Sequence, residues 1–238
     1  MLWVAVCFAL PDCHYEVPSG SRILNVLEDG SLHVWHRDLP LRRIPPCKKN
    51  ANAAYRSFTI LSYNVDVVYE NHLSYNATTQ VPSQSPPAMG QVFHTYSTIA
   101  QALVPQDNST FQGVEAVVQF GDYLNGPEFE NQWSIRAWYW NSQGTNIFTP
   151  GEIISPNTMV KTNLFSTMGT QSVATGTVSA QTGQTQTLEL EIGSRPITWC
   201  ASTVEVNSLS SCEGYPPENT ISWNSIAIST DDHLLSPP

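Results

Sequence analysis

The sequence predicts an all-β protein, an antiparallel β-sandwich of the jelly-roll or concanavalin-like kind, and three observations support this. Strand-length runs rich in β-branched and aromatic residues recur along the 238 residues, separated by Pro, Ser, Gly and Asn. No segment sustains the 3.6-residue apolar period of an amphipathic helix. Charged residues make up only 13%, a balance suited to sheets and to an extracellular setting. A chain of this length fills one large domain, and two full domains are not required.

Taken in order, residues 1–9 are apolar and end in Cys7-Phe8-Ala9, a small-x-small pattern read as the remnant of a secretion signal. Residues 10–56 mix turns (Pro18-Ser19-Gly20, Asp29-Gly30) with a short strand at Ser31 to Trp35, and are expected to form an N-terminal, disulfide-stapled segment packed on the main domain. Residues 57–238 form the sandwich domain. Its expected strands run from Phe58 to Tyr69, Gln91 to Val104, Gly113 to Tyr123, Gln132 to Trp140, Met159 to Ser166, Ser172 to Ser179, Thr185 to Ile192, Thr198 to Val206 and Thr220 to Ile228. Val81 to Met89 is too rich in proline for a sheet interior.

Removing Cys7 with the signal leaves Cys13, Cys47, Cys200 and Cys212. Their even number and short separations suggest the pairs Cys13–Cys47 and Cys200–Cys212. Asn76-Ala77-Thr78 and Asn108-Ser109-Thr110 are glycan acceptor motifs, expected in loops at Asn76 and Asn108. Cysteines and acceptor motifs together point to a secreted or secretory-pathway protein.

The densest chemistry lies in Gln132-Trp133-Ser134-Ile135-Arg136-Ala137-Trp138-Tyr139-Trp140. Strand alternation sends Trp133, Ile135, Ala137 and Tyr139 to one face and Ser134, Arg136, Trp138 and Trp140 to the other. The first set reads as core. The second sets a cation beside two large rings, which suits a ligand cleft, although a snorkelling arginine among packed tryptophans would give the same pattern.

Val118-Gln119-Phe120-Gly121-Asp122, Ala137-Trp138-Tyr139-Trp140, Pro150-Gly151-Glu152-Ile153 and Cys200-Ala201-Ser202-Thr203-Val204-Glu205-Val206 follow one another in an order that resembles the glutamic peptidases, the eqolisins, with a looser likeness to neprosin-type proteins over 94–120. The resemblance implies a β-sandwich and assigns the family's catalytic glutamine to Gln119. It puts Ser202 where the catalytic glutamate belongs and Trp140 where an acidic residue belongs. Glu205 lies on the same strand as Ser202 at an odd offset, so it points to the opposite face unless a bulge intervenes. Serine cannot activate water without a base, and the histidines at 14, 33, 36, 72, 94 and 233 form no triad pattern, which argues against a working acid peptidase.

The net charge of −10, with ten Lys and Arg in all, excludes a nucleic-acid partner. No apolar run reaches membrane-spanning length, and no Cys/His spacing suggests a metal. A groove carrying Gln119, Ser134, Arg136, Trp138, Trp140 and Ser202, with Glu205 as a further candidate, would hold an apolar or aromatic small molecule. Arg136 and Gln119 would polarise it, without any cofactor. In its secretory start, acceptor motifs, few cysteines and aromatic groove the chain is similar to the fungal hetero-Diels–Alderases of tropolonic sesquiterpenoid biosynthesis. That likeness implies a cofactor-free cyclisation in secondary metabolism. Two alternatives stand beside it: a glutamic-type acid endopeptidase, and a non-catalytic carbohydrate- or ligand-binding module.

Overall fold

The computed structural model describes residues 3–4, 13–26, 31–46, 58–67, 71–84, 92–101, 112–121, 129, 131–141, 144–170, 172–207, 222–231 and 233–235. Its strands are β1 (Trp3–Val4), β2 (Cys13–Glu16), β3 (Ser21–Val26), β4 (Leu32–His36), β5 (Leu39–Ile44), β6 (Phe58–Asp66), β7 (His72–Gln80), β8 (Val92–Gln101), β9 (Gln112–Phe120) and β10 (Trp133–Asn141). They continue with β11 (Thr145–Phe148), β12 (Glu152–Ile154), β13 (Met159–Thr167), β14 (Val173–Ala180), β15 (Thr185–Glu191), β16 (Trp199–Asn207), β17 (Trp223–Thr230) and β18 (His233–Leu235). Sheet I runs β1-β6-β16-β8-β9-β10-β11-β2 with β12 also on β10, and sheet II runs β18-β17-β7-β13-β14-β15-β3-β4-β5. Among the described residues no helix is long and apolar enough to cross a membrane.

The expected sandwich is therefore present, with one change of detail. Both sheets are mixed, because β2 pairs parallel with β11 and β3 parallel with β15. Those two pairings also weave the N-terminal segment into the main sheets. β2 extends sheet I, while β3, β4 and β5 extend sheet II, so the backbone groups of this stretch are satisfied by the sheets themselves. The segment expected to be a signal contributes Trp3 and Val4, which pair antiparallel with Leu61 and Ile60 at the edge of sheet I.

β7 falls in a stretch expected to be loop. Its composition is polar, yet Leu73, Tyr75, Ala77 and Thr79 alternate inward and are buried, which is the half-buried pattern of a strand. Asn76 is accordingly not in a loop. It sits on the exposed face of β7, a strand paired on both sides, and its Nδ2 donates to Ser74 Oγ at 2.8 Å. Asn108 lies outside the described residues, as do Cys47 and Cys212. The expected Cys200–Cys212 bridge is corrected: Cys200 is a free thiol buried between the sheets. Its pKa is pushed up to about 12 by burial, which keeps it protonated and unreactive.

The two sheets face each other across an aliphatic and aromatic core that includes Ile99, Val114, Val118, Ile135, Tyr139, Leu164, Leu188 and Val204. A chain of hydroxyls crosses it. Ser202 Oγ lies 2.6 Å from Tyr75 Oη and 3.2 Å from Ser97 Oγ, and Thr162 Oγ1 donates to Ser97 Oγ at 3.1 Å. Each oxygen is sealed from water, so each depends on its neighbour. A second polar chain links Asn141 Nδ2 to Tyr139 Oη, Tyr139 Oη to Gln112 Oε1 and Gln112 Nε2 to Gln101 Oε1. It ends where Gln101 donates to the carbonyls of Ile192 and Arg195.

Tyr75→Phe and Ser202→Ala should each cost about 1–3 kcal/mol by leaving a buried partner unsatisfied. The double variant should cost less than the sum of the two, since the second change removes the orphan left by the first. Urea unfolding of the three variants checks this.

Candidate functional site

Strand pairing in sheet I builds the site. β6, β16, β8, β9 and β10 pair through nine consecutive residues at each junction, with no register shift. Side chains of matching parity therefore form straight rows across the sheet. On the outer face, away from sheet II, one row holds Ser134 and Gln119 and, beyond β8, Glu205. The next reads Arg136, Val117, Tyr96, Thr203, and the third Trp138, Glu115, Thr98, Ala201.

Gln119, Ser134, Arg136, Trp138 and Trp140 thus share one face. Arg136 is almost wholly buried. Its guanidinium carbon lies 4.7 Å from the Phe129 ring centre and 5.2 Å from that of Phe148, a cation held between two π faces. Trp138 packs against Phe148, with ring centres 5.3 Å apart and planes at 34°, in a small apolar cluster with Val117 and Tyr96. The strap that follows β11 passes close over the arginine at Gly151. A Cβ there would fall 2.6 Å from the Phe129 ring and 2.9 Å from Arg136 Nε, so a larger residue would have to displace the ring or the guanidinium. Gln119 Nε2 donates to the Gly121 carbonyl, and the whole side chain is buried.

Ser202 is the sequence-predicted site residue that the structure removes. It faces the core and belongs to the hydroxyl chain with Tyr75 and Ser97. Glu205 takes the groove face instead, and no bulge is needed to put it there, since β16 keeps its register from Trp199 to Asn207. Opposite faces for the two residues is the arrangement alternation requires. What fixes which face is which is the inward set of Cys200, Ser202 and Val204.

Two further residues complete the arrangement, and sequence reasoning passed over both. Tyr96 Oη donates to Glu205 Oε2 at 3.3 Å. Glu115, on the same face of β9, is near enough for its charge to bear on Tyr96 and for that of Glu205 to bear on it. Burial raises the Glu205 carboxyl to about 7, against a lowering contribution from the Tyr96 hydroxyl. Burial, and then the charge of Glu205, push Glu115 well above the ordinary carboxyl range, with Trp140 acting the other way. Tyr96 is raised too, by burial first and the two glutamates next. One signal in the sequence could have found Glu115: a single carboxylate inside the apolar run Val114 to Val118, four residues before Gln119 and so on the same face. Phe129 gives no comparable signal.

The arrangement can hold two carboxyl protons and a phenolic proton at neutral pH beside a buried cation and a wall of rings. Groups whose surroundings push their proton affinities apart are equipped for general acid–base work. Among the described residues no group of three or more His, Cys, Asp or Glu is placed to hold a metal ion.

No protein-family model matches the chain, and no curated protein sequence matches it. Among solved structures it is similar to scytalido-glutamic peptidase with a transition state analog inhibitor, at 14% identity and TM-score 0.43, over 74% of this chain and 82% of that one. It is similar to SCP-B, a member of the eqolisin family of peptidases, at 11% identity and TM-score 0.38, over 73% and 81%. Peanut lectin is a further neighbour, at 15% identity and TM-score 0.37, over 90% and 93%. These are likenesses of sandwich architecture and assign no activity.

Since burial raises Glu205 and Glu115 above their unfolded values, the folded chain binds these protons more tightly than the unfolded chain. The stability they contribute is therefore present at low pH and is lost as pH rises from the ordinary carboxyl range through about 7. Thermal melts from about pH 5 to about pH 8 should show the wild type losing stability with rising pH. Glu205→Gln should show a distinctly shallower decline.

Proposed function

We propose that this protein is a cofactor-free enzyme that binds an apolar or aromatic small molecule on the outer face of sheet I and promotes a cyclisation of hetero-Diels–Alder type, acting as a secreted catalyst of secondary metabolism. The observation that carries the reading is the proton-holding cluster of Tyr96, Glu115 and Glu205 beside Arg136 and Trp138. A cycloaddition rearranges π bonds into σ bonds without gain or loss of atoms or electrons, so it requires no nucleophile, oxidant or metal. What accelerates it is confinement of the two partners and hydrogen-bond donation to the carbonyl oxygen of the heterodiene. A neutral carboxyl at Glu205 or Glu115 supplies that donor, while Trp138 and Phe148 offer flat apolar surface to an aromatic partner.

Glutamic-type peptidase activity is the second reading, and Glu205 is the observation that favours it. A carboxyl raised to about 7 on the face that also carries Gln119 could serve as a general base. Two features weigh against a dyad. The Gln119 amide already donates to Gly121, and β8 separates the two residues, leaving about 10 Å between their backbones at ordinary strand spacing.

The two readings make opposite forecasts when a quinone methide generated in solution is offered together with a macrocyclic alkene. Cyclisation should run above the uncatalysed rate and give one stereoisomer. It should fall by about tenfold per pH unit once Glu205 loses its proton above about 7. Glu205→Gln, a donor that cannot ionise, should flatten the profile and retain activity above neutrality. Unaccelerated cyclisation, together with casein cleavage that Glu205→Gln abolishes, would overturn the cyclase in favour of the peptidase.

A further inference from the structure

Two oxygens in the first row of the outer face have no hydrogen-bond partner among the described residues: Gln119 Oε1 and Ser134 Oγ. Both residues are fully buried. They stand directly opposite each other on β9 and β10, where facing Cβ atoms lie about 4.5–5.5 Å apart, yet they are not bonded to each other. The orientation of the Gln119 amide is forced, because its NH2 end donates to the Gly121 carbonyl. Turning the amide over would set two acceptor oxygens against each other. Oε1 is therefore an acceptor fixed in place without a donor, and Ser134 supplies an O–H beside it. Buried polar atoms in this condition are uncommon and ask for an occupant.

The neighbourhood narrows what that occupant is. Arg136 follows Ser134 by two residues on the same face of β10, a separation of about 7 Å along a strand, so an ammonium or other cation is repelled. A carboxylate or phosphate would meet the Gln119 carbonyl oxygen, which repels an anion. A neutral hydroxyl satisfies both groups at once, donating to Gln119 Oε1 and accepting from Ser134. We infer that Gln119 Oε1 and Ser134 Oγ form the polar receptor for a hydroxyl group of an otherwise apolar organic ligand, which Trp138 and the rings around Arg136 contact beyond it. The inference rests on reading this face as a ligand site. It adds the requirement that the substrate carry a free hydroxyl, and it places Gln119 and Ser134 as specificity-determining residues.

The test uses the full chain and two fluorinated probes that differ in the donor alone, 4-fluorophenol and 4-fluoroanisole, titrated by 19F NMR. The phenol should bind at least ~10-fold more tightly than its methyl ether, because the ether leaves Oε1 unanswered. Ser134→Ala should reduce that preference several-fold and Gln119→Met should abolish it, with thermal melts verifying that each variant is folded. Ser134→Ala alone suffices if Gln119→Met does not fold. Equal affinities in the wild type, absence of phenol binding, or a preference unchanged in a folded variant would overturn the receptor; the second outcome would mean that the two oxygens hold only buried water. The measurement needs no turnover. A selective but inactive protein would sink the cyclase alone, and an active protein without selectivity would sink the receptor alone.

Discussion

Four junctions of nine uninterrupted residue pairs, linking β6, β16, β8, β9 and β10, govern everything else about the site. A single-residue slip at any one of them would carry that strand's inward set to the outer face and its outward set into the core. The cost of such a slip is set by what the inward sets contain: Ile99 on β8, Val114 and Val118 on β9, Ile135 and Tyr139 on β10, Val204 on β16, all sealed between the sheets. Hydrophobic burial thus fixes the register, and the register fixes which polar residues meet on the far side. Glu205, Tyr96, Glu115 and Arg136 are held together by forces that act on their neighbours in sequence rather than on themselves.

The outer face bears the expense of that arrangement. Two carboxyls with raised proton affinity stand near one another, and the Arg136 cation lies against ring faces at 4.7 and 5.2 Å. Such groups are poor contributors to stability, since burial penalises each charged form. Their presence on strands paired in unbroken register is the local inconsistency expected of a functional surface, where one rule of stable packing is given up while all others hold. The core hydroxyl chain through Ser202 shows the contrast. There every oxygen has a partner.

How far the sequence discloses this architecture follows from which signals are local. The alternation in Trp133 to Trp140 is a local signal, and it assigns both faces of β10 correctly because bulky apolar side chains mark one parity without ambiguity. β16 has no such marker. Cys200, Ala201, Ser202 and Thr203 are small residues that fit either face, so the absolute face of Ser202 and Glu205 is decided by pairing with β8 and β6, distant in sequence. β7 is hidden by its polar composition for the same reason, and the parallel pairings of β2 and β3 are matters of topology that no local pattern encodes. Tyr96 and Glu205 meet across 109 residues of chain.

A glutamine and a glutamate on one sheet face are not by themselves a catalytic pair. Gln119 and Glu205 occupy the same row but lie on strands separated by β8, and each is already committed elsewhere, Gln119 to the Gly121 carbonyl and Glu205 to the Tyr96 hydroxyl. The commitments differ in consequence. Gln119 spends its donor on the backbone and keeps its acceptor, which suits it to hold a ligand hydroxyl. Glu205 accepts from Tyr96 and retains a proton up to about pH 7, which suits it to give a hydrogen bond to an oxygen that gains negative charge. Acceptor and donor are thereby divided between two strands, with the apolar surface of Val117, Trp138 and Phe148 beside them. A flat organic molecule anchored at one end by its hydroxyl and polarised at the other through its carbonyl is the kind of ligand this division accommodates.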